Sequence, residues 1–267
     1  MSADVLTHNA ASWNRQSTSG TSRWCVPVDV QTIEQARAGN WQVILTPNRP
    51  VPADWFPDLA GLRVLCLASG GGQQAPVLAA AGARVVSFDL SEEQLAKDMG
   101  VAAAVAAATG IPLELSCEQG NMADLSRFAD GSFDLIFHPV SNVFAADVLP
   151  VWRECHRVLG NGGRLLSGFM NPDFYLFDHD DIETGGPLLV TRHLPYSDLH
   201  DLPADRLSAR IGRQEALEFS HSLDAQIGGQ IAAGFTIAGF YEDCWSDEAS
   251  PLNRYMPTSM ATLAIRG

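Results

Sequence analysis

The sequence predicts an α/β fold in which a doubly wound, seven-stranded, mostly parallel sheet ends in an antiparallel hairpin. Three observations predict it. From residue 61 onward, short apolar runs alternate with helix-patterned stretches, the rhythm of strand–helix–strand units. A glycine-rich turn, Ser69-Gly70-Gly71-Gly72-Gln73, follows the first run directly. The last two runs, 235–243 and 260–267, have no helix between them, so they pair antiparallel at a sheet edge.

Residues 1–60 read as an irregular cover segment with one short helix over 30–39, closed by Gly39. The proline-punctuated run 45–57 reads as an ordered connector. The domain proper spans 61–267. Its first strand is 63–68, followed by a helix over 75–83 and a second strand, 84–89. A long helix covers 91–109, where Ser91 and Gln94 have capping-box spacing. Strands follow at 113–120 and 132–139. The stretch 145–160 is an amphipathic helix, with Val148, Val151, Trp152, Cys155, Val158 and Leu159 on one stripe. A fifth strand is 163–170. The strands are apolar almost throughout, as burial on both faces requires. Residues 171–214, rich in Asp, His and Pro, show no clear periodic element and read as a lid-like insertion. A helix over 219–234 leads to the final hairpin.

The composition sets bounds. The chain has 267 residues, of which 46% are hydrophobic and 18% charged, and its net charge is −14. That is enough chain for one large core. The acid excess argues against nucleic acid or an anionic membrane as partner. Five scattered cysteines without metal-ligand spacing argue against a disulfide framework or a bound metal, and fit the cytoplasm. No segment has the length and apolarity of a membrane span.

The chemistry centres on the glycine turn. Ligands of open α/β sheets sit beyond the C-terminal strand ends. Glycines let backbone approach a ligand, and the following helix offers free N–H groups. Asp89 ends the second strand, where a carboxylate accepts hydrogen bonds from ribose hydroxyls. Gly70, Gly72 and Ala75 also fit G-x-G-x-x-A, so a nicotinamide-dependent oxidoreductase stands as an alternative. A tight turn without a ligand is the plainer reading.

The whole arrangement resembles the class I S-adenosylmethionine-dependent methyltransferases. The residues that carry the resemblance are VLCLASGGG at 64–72, Asp89, Gly120-Asn121-Met122, FDLI at 133–136, and RVL-x-x-GG at 157–163. The chain departs from the family where Cys66 replaces a frequent acid, Ala68 a frequent glycine and Asn121 the usual aspartate.

The resemblance implies a Rossmann-like methyltransferase fold and S-adenosylmethionine as donor, with S-adenosylhomocysteine as product. It also implies a small-molecule acceptor methylated on O, N or S by in-line displacement. Backbone at Ala68, Ser69, Gly70, Gly72 and Gln73 would hold the amino-acid end of the donor. Asp89 would bind the ribose, with Leu90, Asn121 and Met122 around the adenine.

His138 reads either as a general base or as a structural residue of the donor pocket. Asn142 either orients the acceptor or caps the next helix. Trp13, beside Asn14 in the cover segment, reads as a lid over the sulfonium or as a hydrophobic anchor. Trp24, Trp41 and Trp55 read as packing residues. Phe174 and Tyr175, with Phe177 and His179, line the acceptor pocket or pack the lid. Asp178, Asp180, Asp181 and Glu183 read as a solvated acidic surface, and His193, His200 and His221 as non-functional. A catalytically silent donor-binding protein remains the third alternative.

Overall fold

The computed structural model describes residues 3–20, 22–246 and 248–267. Seven strands form one sheet: β1 Arg63–Leu67, β2 Arg84–Asp89, β3 Leu115–Gln119, β4 Phe133–His138, β5 Leu159–Met170, β6 Phe235–Asp243 and β7 Ser259–Arg266. Their order is β3-β2-β1-β4-β5-β7-β6. The first five are parallel, with β1 in register against β2 (Val64↔Val85) and against β4 (Val64↔Leu135). β7 inserts antiparallel between β5 and β6. The predicted architecture is therefore the observed one.

Period-two alternation explains why β1 reads as continuously apolar. Val64 and Cys66 join one core layer with Leu78, Val85, Val101 and Phe137. Leu65 and Leu67 join the layer on the other face with Phe88, Ile136, Trp152 and Leu165. All four β1 side chains are fully buried, as a strand covered on both faces demands.

Nine helices are assigned among the described residues: α1 Ala3–Ser19, α2 Val30–Arg37, α3 Gln74–Ala80, α4 Glu92–Thr109, α5 Leu149–Val158, α6 His179–Glu183, α7 Asp198–Asp201, α8 Ala204–Gly212 and α9 Gly229–Ala232. The α5 stripe is buried as predicted, all six residues at 0–1% exposure. Only half of the capping box forms: Ser91 Oγ accepts from Gln94 N at 3.1 Å, while Gln94 Oε1 has no hydrogen-bond partner.

Three expectations need correction. The cover segment is not irregular at its start. α1 runs for 17 residues, and its buried positions Val5, Asn9, Ser12 and Ser17 are mostly polar. Hydrophobic periodicity is blind to such a face. Asn9 is held reciprocally, donating to Leu217 O at 3.0 Å and accepting from Leu217 N at 2.8 Å. The insertion holds short helices α6 to α8, although α8 buries no residue. The helix expected over 219–234 is shorter, a π-turn over Asp224–Gly228 running into α9.

Candidate active site

Where β1 and β4 part company at their C-terminal ends, the sheet opens. The chain turns sharply out of β1 through Ala68 (φ 47°), Gly71 (φ 121°) and Gly72 (φ 77°). A left-handed alanine is strained by about 1–2 kcal/mol, so the turn must be held from outside. Asp89 Oδ2 accepts from Gly70 N at 3.0 Å, and Asp98 Oδ1 accepts from Gly72 N at 2.7 Å. Asp98 is completely buried and also accepts from Ser87 Oγ at 2.6 Å. Burial pushes its carboxyl up to about 7. Asp89 is raised in the same direction by burial, against hydrogen bonds from Ser91, Gly70 and Leu90.

The cover segment closes over this turn. A Cβ on Gly71 would collide with Trp24 O, and one on Gly72 would meet Pro27 Cβ at 2.7 Å. Val28 N donates to Gly72 O at 2.8 Å. The glycines here answer to protein backbone on one side as much as to any ligand on the other.

A cavity of about 810 Å³ opens beyond the strand ends. Of the residues singled out from sequence, Trp13, Ala68, Ser69, Gly70, Gln73, Asp89, Leu90, Asn121, Met122, Phe174 and Tyr175 stand on its wall. Trp13 meets Phe144 edge to face at 5.2 Å, and Asn14 Oδ1 accepts from Ser91 Oγ at 2.6 Å, tying α1 to the start of α4. Asn121 Oδ1 accepts from Ala123 N at 3.1 Å.

Gly72, His138 and Asn142 are not on the wall, which corrects their expected placement. Gly72 faces Asp98 and Pro27. His138 is fully buried, its Nδ1 bonded to Leu67 O at 2.9 Å and its Nε2 to the Asn142 side chain. Asn142 is equally buried and reaches Gln226 Oε1 at 3.1 Å. Burial holds the imidazole pKa below its ordinary value, which favours the neutral ring. Leu67 O lies just past the last β1–β4 register pair, Cys66↔Phe137. As the strands splay, this carbonyl loses a ladder partner, and the His138 ring supplies one.

Sequence reasoning missed several wall residues. Trp24, expected to be packing, lines the cavity and meets Trp245 at 5.8 Å. Leu45 and Thr46 of the connector also line it. Their signal was Gly168, inside β5, where a side chain would strike Leu45 O; a glycine within a strand marks such a close approach. Arg192, Tyr196, Asp198, Arg210 and Glu218 complete the far wall, and no motif announces them. Of the acidic cluster, Asp180 and Asp181 are exposed as expected, whereas Asp178 is largely buried between Arg206 (2.7 Å) and Arg192 (3.2 Å).

This strand order, with a glycine turn after β1 and an acid ending β2, defines a class I S-adenosylmethionine-dependent methyltransferase. The comparisons with known proteins agree. A family model described as "Methyltransferase domain" matches residues 65–167. The chain is 48% identical over 262 residues to the uncharacterized methyltransferase YbaJ of Bacillus subtilis strain 168, covering 98% of each. Among solved structures, an S-adenosylmethionine-dependent methyltransferase from Mesorhizobium loti superposes with a TM-score of 0.58 at 21% identity. That match covers 80% of this chain and 94% of that one. Magnesium protoporphyrin IX methyltransferase from Synechocystis, solved with bound S-adenosylhomocysteine, does so with a TM-score of 0.59 at 16% identity, covering 99% and 100%.

The chain belongs to the methyltransferase family, as a transferase that uses S-adenosylmethionine. The nicotinamide and silent-protein alternatives fall with that membership. The residues fit the donor: Ser69, Gly70 and Asp89 stand together on the cavity wall, and the buried Ser69 Oγ there has no hydrogen-bond partner within the protein.

Proposed function

We propose that this enzyme methylates an O, N or S atom of a small molecule enclosed between the glycine turn, the cover segment 1–60 and the insertion 171–214. The observation that carries the reading is one continuous cavity. Its wall includes Ser69, Gly70 and Asp89 at one end and Phe174, Tyr175 and Tyr196 at the other. A space of about 810 Å³ suits a nucleoside-sized donor and a compact acceptor together.

When bound, S-adenosylmethionine supplies a methyl group on a positively charged sulfur, ready for in-line displacement. The protein's task is then to position and to exclude water. Backbone at Ala68, Ser69, Gly70 and Gln73 holds the amino-acid end of the donor, and Ser69 Oγ gains a partner there. Asp89 accepts from the ribose, while Leu90, Asn121 and Met122 surround the adenine. Trp13 closes over the site from α1, and Phe174 with Tyr175 borders the acceptor.

His138 and Asn142 act from beneath, by holding the Leu67 carbonyl and so the turn. Gly72 serves the turn in the same way. The five free thiols suit work in the cytosol.

The test is calorimetry with S-adenosylhomocysteine. Asp89→Ala weakens binding by about 1–3 kcal/mol, the scale of lost hydrogen bonds to a charged group. Unchanged affinity in that variant refutes the ribose assignment.

A further inference from the structure

Charge on the far wall of the cavity is almost entirely paired. Asp198 meets Arg210 at 3.0 Å, and Glu215 meets Arg213 at 2.6 Å. Arg206 holds Asp178 and Asp180, each at 2.7 Å, and Arg192 reaches Asp178 at 3.2 Å. Glu218 is the exception. Among the described residues it forms no ion pair, and its carboxylate receives one hydrogen bond, from Tyr175 Oη to Oε2 at 2.7 Å. Its second oxygen has no donor among the described residues.

This carboxylate is rigidly placed. Glu218 N donates to Asp198 Oδ2 at 2.7 Å, and Asp198 N donates to Glu218 O at 3.0 Å. On one side Leu217 is clamped by Asn9 of α1; on the other, Phe219 N donates to Val143 O at 2.7 Å. Cover segment, insertion and the loop after β4 thus converge on residues 217–219. Beside Glu218 the rings of Tyr175 and Tyr196 stack at 5.5 Å and 18°.

We propose that Glu218 is the catalytic base of the methyl transfer and that the acceptor is a neutral or cationic small molecule bearing an O–H or N–H group. This rests on the small-molecule reading above. An anionic acceptor has no free partner here, because each arginine on this wall already holds a carboxylate, whereas Glu218 offers an unpaired oxygen to a proton donor. In the step, the acceptor proton moves to Glu218 Oε1 and the acceptor's electron pair forms the bond to the donor methyl carbon. The carbon–sulfur pair returns to sulfur, giving the methylated product and S-adenosylhomocysteine.

Burial raises the Glu218 pKa, opposed by the Tyr175 hydrogen bond and by Arg210 and Arg192, while Asp198 pushes it further up. These groups face it from the turn at Pro172–Leu176, from α8, from the loop before α7 and from α7. A base raised toward neutrality is better matched to its task.

The experiment incubates the full chain with methyl-labelled S-adenosylmethionine and the small-molecule filtrate of a bacterial extract. The labelled product is identified by mass spectrometry, and kinetics with that acceptor follow. The expected product is an O- or N-methyl compound without carboxylate or phosphate. With it, kcat rises with pH to a plateau. Glu218→Gln lowers kcat by about 10²–10⁴-fold and abolishes that rise, yet binds S-adenosylhomocysteine within twofold of the parent. Tyr175→Phe moves the rise to higher pH, because the bond that favoured the ionised carboxylate is gone.

A labelled product carrying an anionic group, or a Glu218→Gln variant with unchanged kcat and pH profile, overturns this inference and leaves the small-molecule reading standing. Label recovered only in the macromolecular fraction, when that fraction is supplied, overturns the small-molecule reading itself. No transfer at all in either fraction counts against both.

Discussion

At the glycine turn the cavity wall is backbone, held by buried carboxylates and by the cover segment: Asp98 beneath Gly72, Asp89 beside Gly70, Trp24 O against Gly71. Across the cavity the wall is side chain, held by ion pairs among Asp178, Asp180, Arg192, Arg206, Asp198 and Arg210. The first wall is made by the sheet's own geometry, and its glycines cannot carry a side chain without striking Gln94, Trp24 or Pro27. The second is stabilised by ion pairs that run from nearly buried, Asp198 with Arg210 and Asp178 with Arg192, to partly exposed, Asp180 with Arg206. On the function proposed above, donor recognition is thus built into the fold, while the acceptor wall is a separate layer.

The comparison makes a graded set of predictions. The largest effect lies at Asp98. Its folded pKa of about 7 stands above the usual carboxylate value near 3.8. The folded state therefore binds the proton more tightly than the unfolded state does. Stability from this group is fully present below about pH 4 and is lost as pH rises toward 7, at up to about 1.4 kcal/mol per unit. Asp89 contributes in the same direction. Asp98→Asn removes that slope, so urea midpoints of parent and variant, taken from pH 5 to 7.5, diverge steadily in favour of the variant. A parallel pair of curves breaks the claim that the turn rests on a buried acid.

Gly71→Ala comes next. It combines a backbone angle that side chains rarely adopt with a collision against Trp24 O. A loss of about 3 kcal/mol in unfolding free energy is expected, with donor binding falling alongside. The smallest effect belongs to Arg206→Ala, at a residue that supports the opposite wall through Asp180. The guanidinium is about one-third exposed, so losing its two pairs costs about 1 kcal/mol or less. S-adenosylhomocysteine affinity stays constant while the acceptor KM rises. A loss of donor affinity in this variant would show the two walls to be one unit.

Much of the donor end was legible in the sequence because its constraints are local. Gly70 of the glycine run, Asp89 at a strand end and the Asn121-Met122 pair stand where strand and turn chemistry put them, and all reach the cavity. His138, read either as a base or as a structural residue, and Asn142 lie off the cavity wall for a physical reason. A residue at a strand's C-terminal end reads as facing ligand, but the splay between β1 and β4 left Leu67 O needing a donor, and the ring turned inward to supply it. Trp24 was misread because an isolated tryptophan carries no sign of whether it packs or lines.

The sequence by itself determined the sheet, its two buried faces, the hairpin and the turn after β1, because apolar periodicity and glycine conformational freedom act over a few residues. Only the tertiary structure decided that α1 exists, since its buried face is polar and becomes stable by pairing Asn9 with Leu217, 208 residues away. It also decided which carboxylate on the far wall is left unpaired. Charge pairing depends on distances between side chains remote in sequence, and no local pattern encodes them.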